Sequence, residues 1–315
     1  MSAVFEVLSP GLQTTVQDLG RWGFQSVGVP VSGPMDPFAH RLANALVGNS
    51  RAAATLEITI TGPSLRFEVS RTVAVAGAHF ELFLDEQPVA LRTTLVVREG
   101  SVLRFGARHG GARAYLAIAG GIATRPVLGS RATHVPTATG GFDGRPLRRG
   151  DRVPLGDPTR TTPRTTVTPT VGSSAAEIPV VRVLPGSQLD RFMPDALEAF
   201  VSAPYHVGVQ SDRMGFRLSG PTLRHRPGGA DIISDALPPG TVQVPASGEP
   251  LVLMADRQTA GGYAKLATVI SADIGILGQA APGDRVRFRP CTHADALAAL
   301  VARERPLVAL EAEGA

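Results

Sequence analysis

Gly62-Pro63-Ser64-Leu65-Arg66 returns in the second half of the chain as Gly220-Pro221-Thr222-Leu223-Arg224. Two further echoes follow in the same order. Glu99-Gly100-Ser101-Val102 is answered by Pro239-Gly240-Thr241-Val242, and Arg149-Gly150-Asp151-Arg152-Val153 by Pro282-Gly283-Asp284-Arg285-Val286. Short matches in one order point to an internal duplication, although the intervals between them differ in the two halves. Between the halves, Asp157 to Ser174 is rich in Thr, Pro and Ser and has no apolar period, which is the composition of a linker. The expected organisation is an N-terminal half over 1–157, a linker over 158–177 and a C-terminal half over 178–315. A length of 315 residues suits two domains, each with its own core.

Within each half the apolar segments are short, as in Leu56-Glu57-Ile58-Thr59-Ile60, Arg71-Thr72-Val73-Ala74-Val75-Ala76, Tyr115-Leu116-Ala117-Ile118-Ala119 and Leu251-Val252-Leu253-Met254. Punctuated by 35 glycines and 26 prolines, they read as strands. Many short strands per half predict a mainly β protein of closed or nearly closed barrels, because closure removes exposed edges. Few, short helices are expected. One starts at the cap Asp36 with Pro37 in its first turn, runs through Phe38, Leu42 and Leu46, and stops at Gly48. Others are expected near Asp195 to Ser202 and, capped by Thr292, from His293 to Arg303.

No run of about 18 apolar residues is present to span a bilayer, and no early segment has the form of a secretion signal. With a single cysteine, Cys291, there is no internal disulfide, so the cytoplasm is the expected compartment. The net charge of +4 comes from arginines scattered among acids, and aromatics are 5% of the chain, which argues against a nucleic-acid partner. His40, His79, His109, His134, His206, His225 and His293 show no paired spacing, so no metal site is expected. A Gly-x-Ser-x-Gly elbow, a Walker phosphate loop and a dinucleotide glycine pattern are all missing from the sequence.

Two polar, glycine-rich stretches are the candidates for chemistry. The first is Gly11 to Gly23, with Gln17, Asp18 and Arg21, continued by Pro30-Val31-Ser32-Gly33-Pro34-Met35-Asp36. It presents donors and a carboxylate to a ligand, or else forms tight turns in which Asp18 caps backbone amides and pairs with Arg21. The second is Ala255-Asp256-Arg257-Gln258-Thr259-Ala260-Gly261-Gly262-Tyr263-Ala264-Lys265, directly after an apolar strand. Of the 31 basic residues all but Lys265 are arginine, so a compact ammonium stands here alone. Glycines 261 and 262 let the backbone approach a ligand, while Arg257, Thr259, Tyr263 and Lys265 suit a carboxylate or phosphate. The alternative is a hairpin turn with a surface pair between Asp256 and Arg257. A third patch, Gln210 to Arg217 with Arg213 at its centre, lines the same cleft or is a solvated loop.

The motifs Thr14-Thr15-Val16-Gln17-Asp18-x-Gly20-Arg21, Gly28-Val29-Pro30-x-Ser32-Gly33-x-Met35-Asp36 and Asn44-x-Leu46-Val47-Gly48-Asn49 resemble the family described as allophanate hydrolase subunit 2, or biotin-dependent carboxyltransferase. The resemblance continues through Ala119-Gly120-Gly121-Ile122, Gly129-Ser130-Arg131-x-Thr133, Ser211-Asp212-Arg213-Met214-Gly215, Gln243-Val244-Pro245 and Asp256-Arg257-Gln258-Thr259-x-Gly261-Gly262-Tyr263. It spans nearly the whole chain. It implies two cyclophilin-like β-barrel halves and a heteromer with B-type and A-type companions, as in the bacterial 5-oxoprolinase members. These couple hydrolysis of ATP, with magnesium, to the opening of 5-oxoproline, a small anion, into glutamate. On this resemblance Asp18, Arg257, Tyr263 and Lys265 are the expected catalytic residues. Gln17, Arg21, Arg213, Gln243, Gln258, Thr259, Gly261 and Gly262 are the expected substrate-binding ones. Related urea carboxylases use equivalent domains for carboxyl transfer. A biotin carrier needs a lysine in a Met-Lys-Met-like hairpin, and Lys265 stands in Gly262-Tyr263-Ala264-Lys265-Leu266, so no biotin is expected on this chain. A binding protein that antagonises a kinase inhibitor related to the B-type companion is the remaining alternative.

Overall fold

The computed structural model describes residues 3–91, 93–158 and 177–312, so the linker expected over 158–177 lies outside the described residues except at its two ends. The chain divides into two compact units. Met1–Arg21, Ser32–Val171 and Arg305–Ala315 form unit 1, and Trp22–Val31 with Gly172–Glu304 forms unit 2.

The strands of unit 1 are β1 (Val4–Ser9), β2 (Gln13–Gln17), β3 (Thr55–Thr59), β4 (Ser64–Phe67), β5 (Arg71–Leu84), β6 (Gln87–Val89), β7 (Thr94–Val97), β8 (Val102–Ile118) and β9 (Arg152–Pro154). They make one nine-stranded sheet whose path is β2-β3-β8-β4-β1-β9, with β5 pairing β6, β7 and β8 beside it. Period-two alternation sends Phe5 and Val7 of β1, Leu65 and Phe67 of β4, and Val73 and Val75 of β5 into one core with Leu56, Ile58 and Leu116. The apolar segments expected at 71–76 and 115–119 are the ends of much longer strands. β5 and β8 run antiparallel from the pair Val73 and Ile118 to the pair Leu84 and Leu103, through register shifts near His79 that sequence alternation alone does not display.

Helix α1 (Pro37–Leu46) has Asp36 as its cap, with the carboxylate accepting from Ala39 N at 3.1 Å and Pro37 in the first turn. One face of α1 buries Leu42, Ala43 and Leu46 in a second core that also holds Leu307 and Leu310.

The strands of unit 2 are β10 (Val180–Pro185), β11 (Tyr205–Val207), β12 (Gly215–Ser219), β13 (Asp231–Ala236), β14 (Thr241–Gln243), β15 (Leu251–Leu253), β16 (Ala260–Tyr263), β17 (Lys265–Val269) and β18 (Arg285–Pro290). Seven of them close into a barrel in the order β10-β17-β14-β15-β12-β11-β18, while β13 and β16 form a separate two-stranded ribbon. The parallel pair of β10 with β18 completes the closure.

The remaining helices are α2 (Ala196–Ser202), α3 (Ile274–Gly278) and α4 (His293–Ala312). Thr292 caps α4 as expected, its Oγ1 accepting from Asp295 N at 3.1 Å. The expectation of short helices fails at α4, which is 20 residues long and passes through Pro306. The charged run Arg303-Glu304-Arg305 before a proline reads as a stop. Burial of Leu307 and Leu310, and a bidentate pair of Arg41 with Glu311 at 3.0 and 3.0 Å, carry the helix onward.

Two of the three echoes adopt matching local structure, a tight turn at 99–100 and 239–240, or 149–150 and 282–283, that leads into a strand. The third does not: Ser64 to Arg66 lie in β4, whereas Thr222 to Arg224 lie outside any strand.

Gly120 has φ +91°, and a Cβ there would stand 2.4 Å from Gly156 O. The two segments are knit by Gly156 N to Gly121 O at 3.0 Å and Ala123 N to Pro154 O at 2.9 Å. Gly120→Ala is therefore expected to cost about 1–3 kcal/mol through backbone strain and overpacking. A lowered urea midpoint is the readout; an unchanged midpoint contradicts this packing.

Candidate functional site

In unit 1, β2 ends on Gln17 with Asp18 directly after it, and the segment 130–133 folds over that end. Thr133 N and Thr133 Oγ1 both reach Val16 O, each at 2.9 Å. Asp18 Oδ1 accepts from Gly20 N at 2.9 Å and from Ser130 Oγ at 2.5 Å, and Oδ2 accepts from Arg131 N. The buried carboxylate is thus a clamp between the turn after β2 and segment 130–131. Arg21, also buried, donates from Nη2 to Ala132 O. Gln17 donates from Nε2 to Thr133 O and to Thr15 Oγ1, both at 3.1 Å. A carbonyl acceptor fixes the amide's orientation, so Oε1 is the buried atom without a partner among the described residues. Ser32, at φ 60°, sends its Oγ to the same Thr133 O at 3.2 Å.

Beneath these residues lies a buried polar network that sequence reading missed. Glu57 Oε2 accepts from Tyr115 Oη at 2.7 Å and from Met35 N at 2.9 Å, and Tyr115 Oη accepts from Asp36 N at 2.8 Å. Burial, reinforced by Glu57 and Asp36, holds the Tyr115 phenol well above its usual range. Alternation sets Glu57 on the face opposite Leu56 and Ile58, where a carboxylate reads as solvent-facing, but β3 is buried on both faces.

His40 stands beside this network, its Nδ1 2.9 Å from Thr55 Oγ1 and its Nε2 3.2 Å from Arg51 O. A carbonyl only accepts, so Nε2 carries the proton. Burial lowers the His40 pKa from 6.5 to about 4. The unfolded chain therefore binds a proton between these two values that the folded chain does not. Stability from keeping the ring neutral is complete above pH 6.5 and is lost as pH falls to about 4, amounting to about 3 kcal/mol. His40→Gln, which keeps a donor and an acceptor, is expected to flatten the dependence of the urea midpoint on pH across that window. An unchanged slope would show that His40 is not the group responsible.

In unit 2 the structure brings the second and third polar stretches together. Asp256 N donates to Arg213 O at 2.8 Å, and Met254 N to Met214 O at 2.9 Å. The Arg213 guanidinium grips the Asp256 carboxylate through two bonds of 2.8 and 3.0 Å, with the side chains 7% and 2% exposed. Of the two alternatives for Asp256, the surface pair with Arg257 is replaced by this internal pair with Arg213. Arg257 is buried too. Its Nε donates to Leu237 O at 2.7 Å and its Nη1 to Met254 O at 3.3 Å, and Nη2 has no partner among the described residues. Burial pulls the Arg257 pKa down from the usual arginine value, partly offset by Asp256.

Gln243, at the end of β14, donates from Nε2 to Tyr263 O at 3.1 Å, again leaving a buried Oε1 without a partner among the described residues. A Cβ on Gly261 would meet Leu237 Cδ1 at 2.7 Å, Gln243 Nε2 at 3.0 Å and Gln258 Nε2 at 3.1 Å, so glycine at this position is what lets both amides close on the strand. Lys265, the first residue of β17, is buried and ion-paired through Nζ with the exposed carboxylate of Asp235, and it donates to Ala236 O at 3.2 Å. The lysine in turn holds the Asp235 pKa below the ordinary carboxylate value. Tyr263, Gln258 and Thr259 are accessible, and Gly262 lies against the β13 backbone at Ile232 O. The expected site residues thus form two sets: Gln17, Asp18 and Arg21 in unit 1, and Arg213, Gln243 and 257–265 in unit 2.

Residues 27–290 match the family model described as carboxyltransferase domain, subdomain A and B. The chain belongs to this carboxyltransferase domain family. Within it, the C subunit of 5-oxoprolinase from Escherichia coli (strain K12) is 38% identical over 303 residues, which are 96% of this chain and 96% of that one. Urea amidolyase of Saccharomyces cerevisiae is 32% identical over 309 residues, 91% of this chain and 17% of the amidolyase. The crystal structure of the K. lactis urea amidolyase superposes with a TM-score of 0.93 at 31% identity, over 98% of this chain and 20% of that chain. The family's mainly β architecture is thus the one seen here. This chain spans about a fifth of the length of the amidolyases and nearly all of the oxoprolinase polypeptide.

Proposed function

We propose that this chain is the C-type subunit of an ATP-dependent 5-oxoprolinase, working in the cytoplasm with A-type and B-type companions to open 5-oxoproline into glutamate. The observation that carries the reading is 38% identity over 303 residues with the C subunit of the Escherichia coli 5-oxoprolinase, against 32% over 309 residues with the Saccharomyces cerevisiae urea amidolyase. Unit 2 supplies fitting chemistry for a small anion: a buried guanidinium with a spare nitrogen at Arg257, a lone ammonium at Lys265, and a glycine-bearing strand between them.

ATP with magnesium, when bound in the assembled complex, supplies the phosphoryl group that activates the lactam carbonyl. Arg257 and Lys265 are the groups suited to hold negative charge beside it. Asp235 is exposed, so water can solvate its carboxylate when Lys265 turns to a ligand. Gln243 and Gly261 fix the strand that carries Tyr263. Asp18 acts by position, since both its oxygens already hold Gly20, Ser130 and Arg131.

The family description favours a second reading, carboxyl transfer from biotin carried by another chain. Lys265 itself is no biotin anchor, because its side chain is 8% exposed and begins a barrel strand. Avidin separates the two readings. With A- and B-type partners, ATP-dependent glutamate release is expected to be indifferent to avidin; abolition by avidin would favour carboxyl transfer.

A further inference from the structure

A groove of about 480 Å³ opens in unit 2 between segment 222–231 and the turn 246–248. It does not lie over the loop 256–265 but backs onto it. Ala264 N donates to Ala230 O at 3.0 Å, Asp231 pairs with Tyr263 across the ribbon, and His225 Nε2 meets Val244 O, next to Gln243, at 3.0 Å.

Thr222, Arg224, His225, Arg226, Asp231 and Ser247 supply its polar side chains. Arg226 Nε donates to Phe192 O at 3.1 Å, which fixes the root of the guanidinium, and its two terminal nitrogens have no partner among the described residues. Arg224 spends Nη2 on Asp195 at 2.8 Å, a pair whose side chains are 67% and 57% exposed and so open to competition. The His225 ring lies 4.6 Å from the Phe192 ring, centroid to centroid, and its Nε2 donates to the Val244 carbonyl, so this side chain packs against the wall of the groove. Gly229 fixes the bend, since a Cβ there would stand 2.2 Å from Arg191 O. Two arginines against one aspartate leave the lining one charge positive. No Phe, Tyr or Trp lines the groove.

We propose that this groove binds a small oxyanion, with Arg226 as the principal ligand and Arg224 as the second. A half-anchored guanidinium fork with free terminal N–H groups is the geometry that receives a carboxylate or phosphate through two bonds, and the volume falls in the range of small-ligand sites. Binding is a property of the folded chain alone and stands apart from the reaction assigned above.

The test is calorimetric titration of the full chain with pyrophosphate and, separately, with 5-oxoproline at fixed ionic strength, alongside amide NMR. Saturable binding is expected for at least one, with shifts at Gly228, Gly229 and Gly248. Arg226→Gln is expected to weaken it at least tenfold, while Arg98→Gln, an equal change of charge at an exposed site in unit 1, changes it less than twofold. Binding of pyrophosphate alone assigns a phosphate ligand, and of 5-oxoproline alone a carboxylate. Should Arg226→Gln fail to fold by circular dichroism, Arg224→Gln takes its place. Absence of saturable binding by both probes, or equal weakening by the Arg98 control, overturns the proposal. Glutamate release plays no part in this readout, so its failure and that of the lactam assignment are separable.

Discussion

Asp256→Ala is expected to destabilise the chain by about 3–5 kcal/mol, because it strands the buried Arg213 guanidinium without its carboxylate. The Coulombic value of the pair is not what is lost. Two charges taken out of water roughly offset their own attraction, and the large term is the solvation that an unpaired internal arginine can no longer obtain. A second substitution separates these effects. Adding Arg213→Met removes the stranded charge and fills similar space with an apolar side chain, so the double variant is expected to recover most of the loss. Urea unfolding followed by circular dichroism reads both. If Asp256→Ala costs less than about 1 kcal/mol, the level of an exposed pair, then Arg213 reaches water and the pair is not internal. The same pair joins the patch around Arg213 to the first residues of the loop, so Asp256→Ala is also expected to lower turnover of any assembled complex.

Lys265→Ala is expected to act in the opposite way, with little loss of stability and a large loss of activity. Its partner Asp235 is 54% exposed and returns to water when the lysine is removed, so no buried charge is stranded and the stability cost stays below that of Asp256→Ala. If Lys265 neutralises charge that develops on the activated substrate, its removal lowers turnover by about 10²–10³-fold. Lys265→Arg, with a broader and planar head on the same barrel strand, is expected to restore little. Full activity in Lys265→Ala, measured on folded protein with its partners, would remove the lysine from the chemistry and leave it as the anchor of β13.

Local grammar made part of this molecule legible. Asp36-Pro37 marked the start of α1, and short apolar segments marked strands in both units. The lone lysine and its glycines marked the loop of unit 2, which the structure joins to Arg213 and Gln243. Other features depend on partners distant in sequence. The Asp18 carboxylate is held by Ser130 and Arg131, more than 110 positions away, so the stretch Gln17-Asp18 looks the same whether it is a clamp or an open acid. Glu57, Tyr115 and His40 sit in apolar strands and a helix where one polar residue reads as incidental. Lys265 is paired by Asp235 on a ribbon strand that is almost wholly exposed and shows no alternation to betray it. The end of α4 was hidden for the same reason, since packing of Leu307 and Leu310 on α1 overrides the proline signal.

The most direct measurement of the central claim is glutamate release from 5-oxoproline and ATP by this chain mixed with its A- and B-type partners, each component being omitted in turn. Release is expected to require all three chains and ATP, and to return when this chain is added back. Equal release without this chain, or none when folded partners and chain are all present, would contradict the assignment.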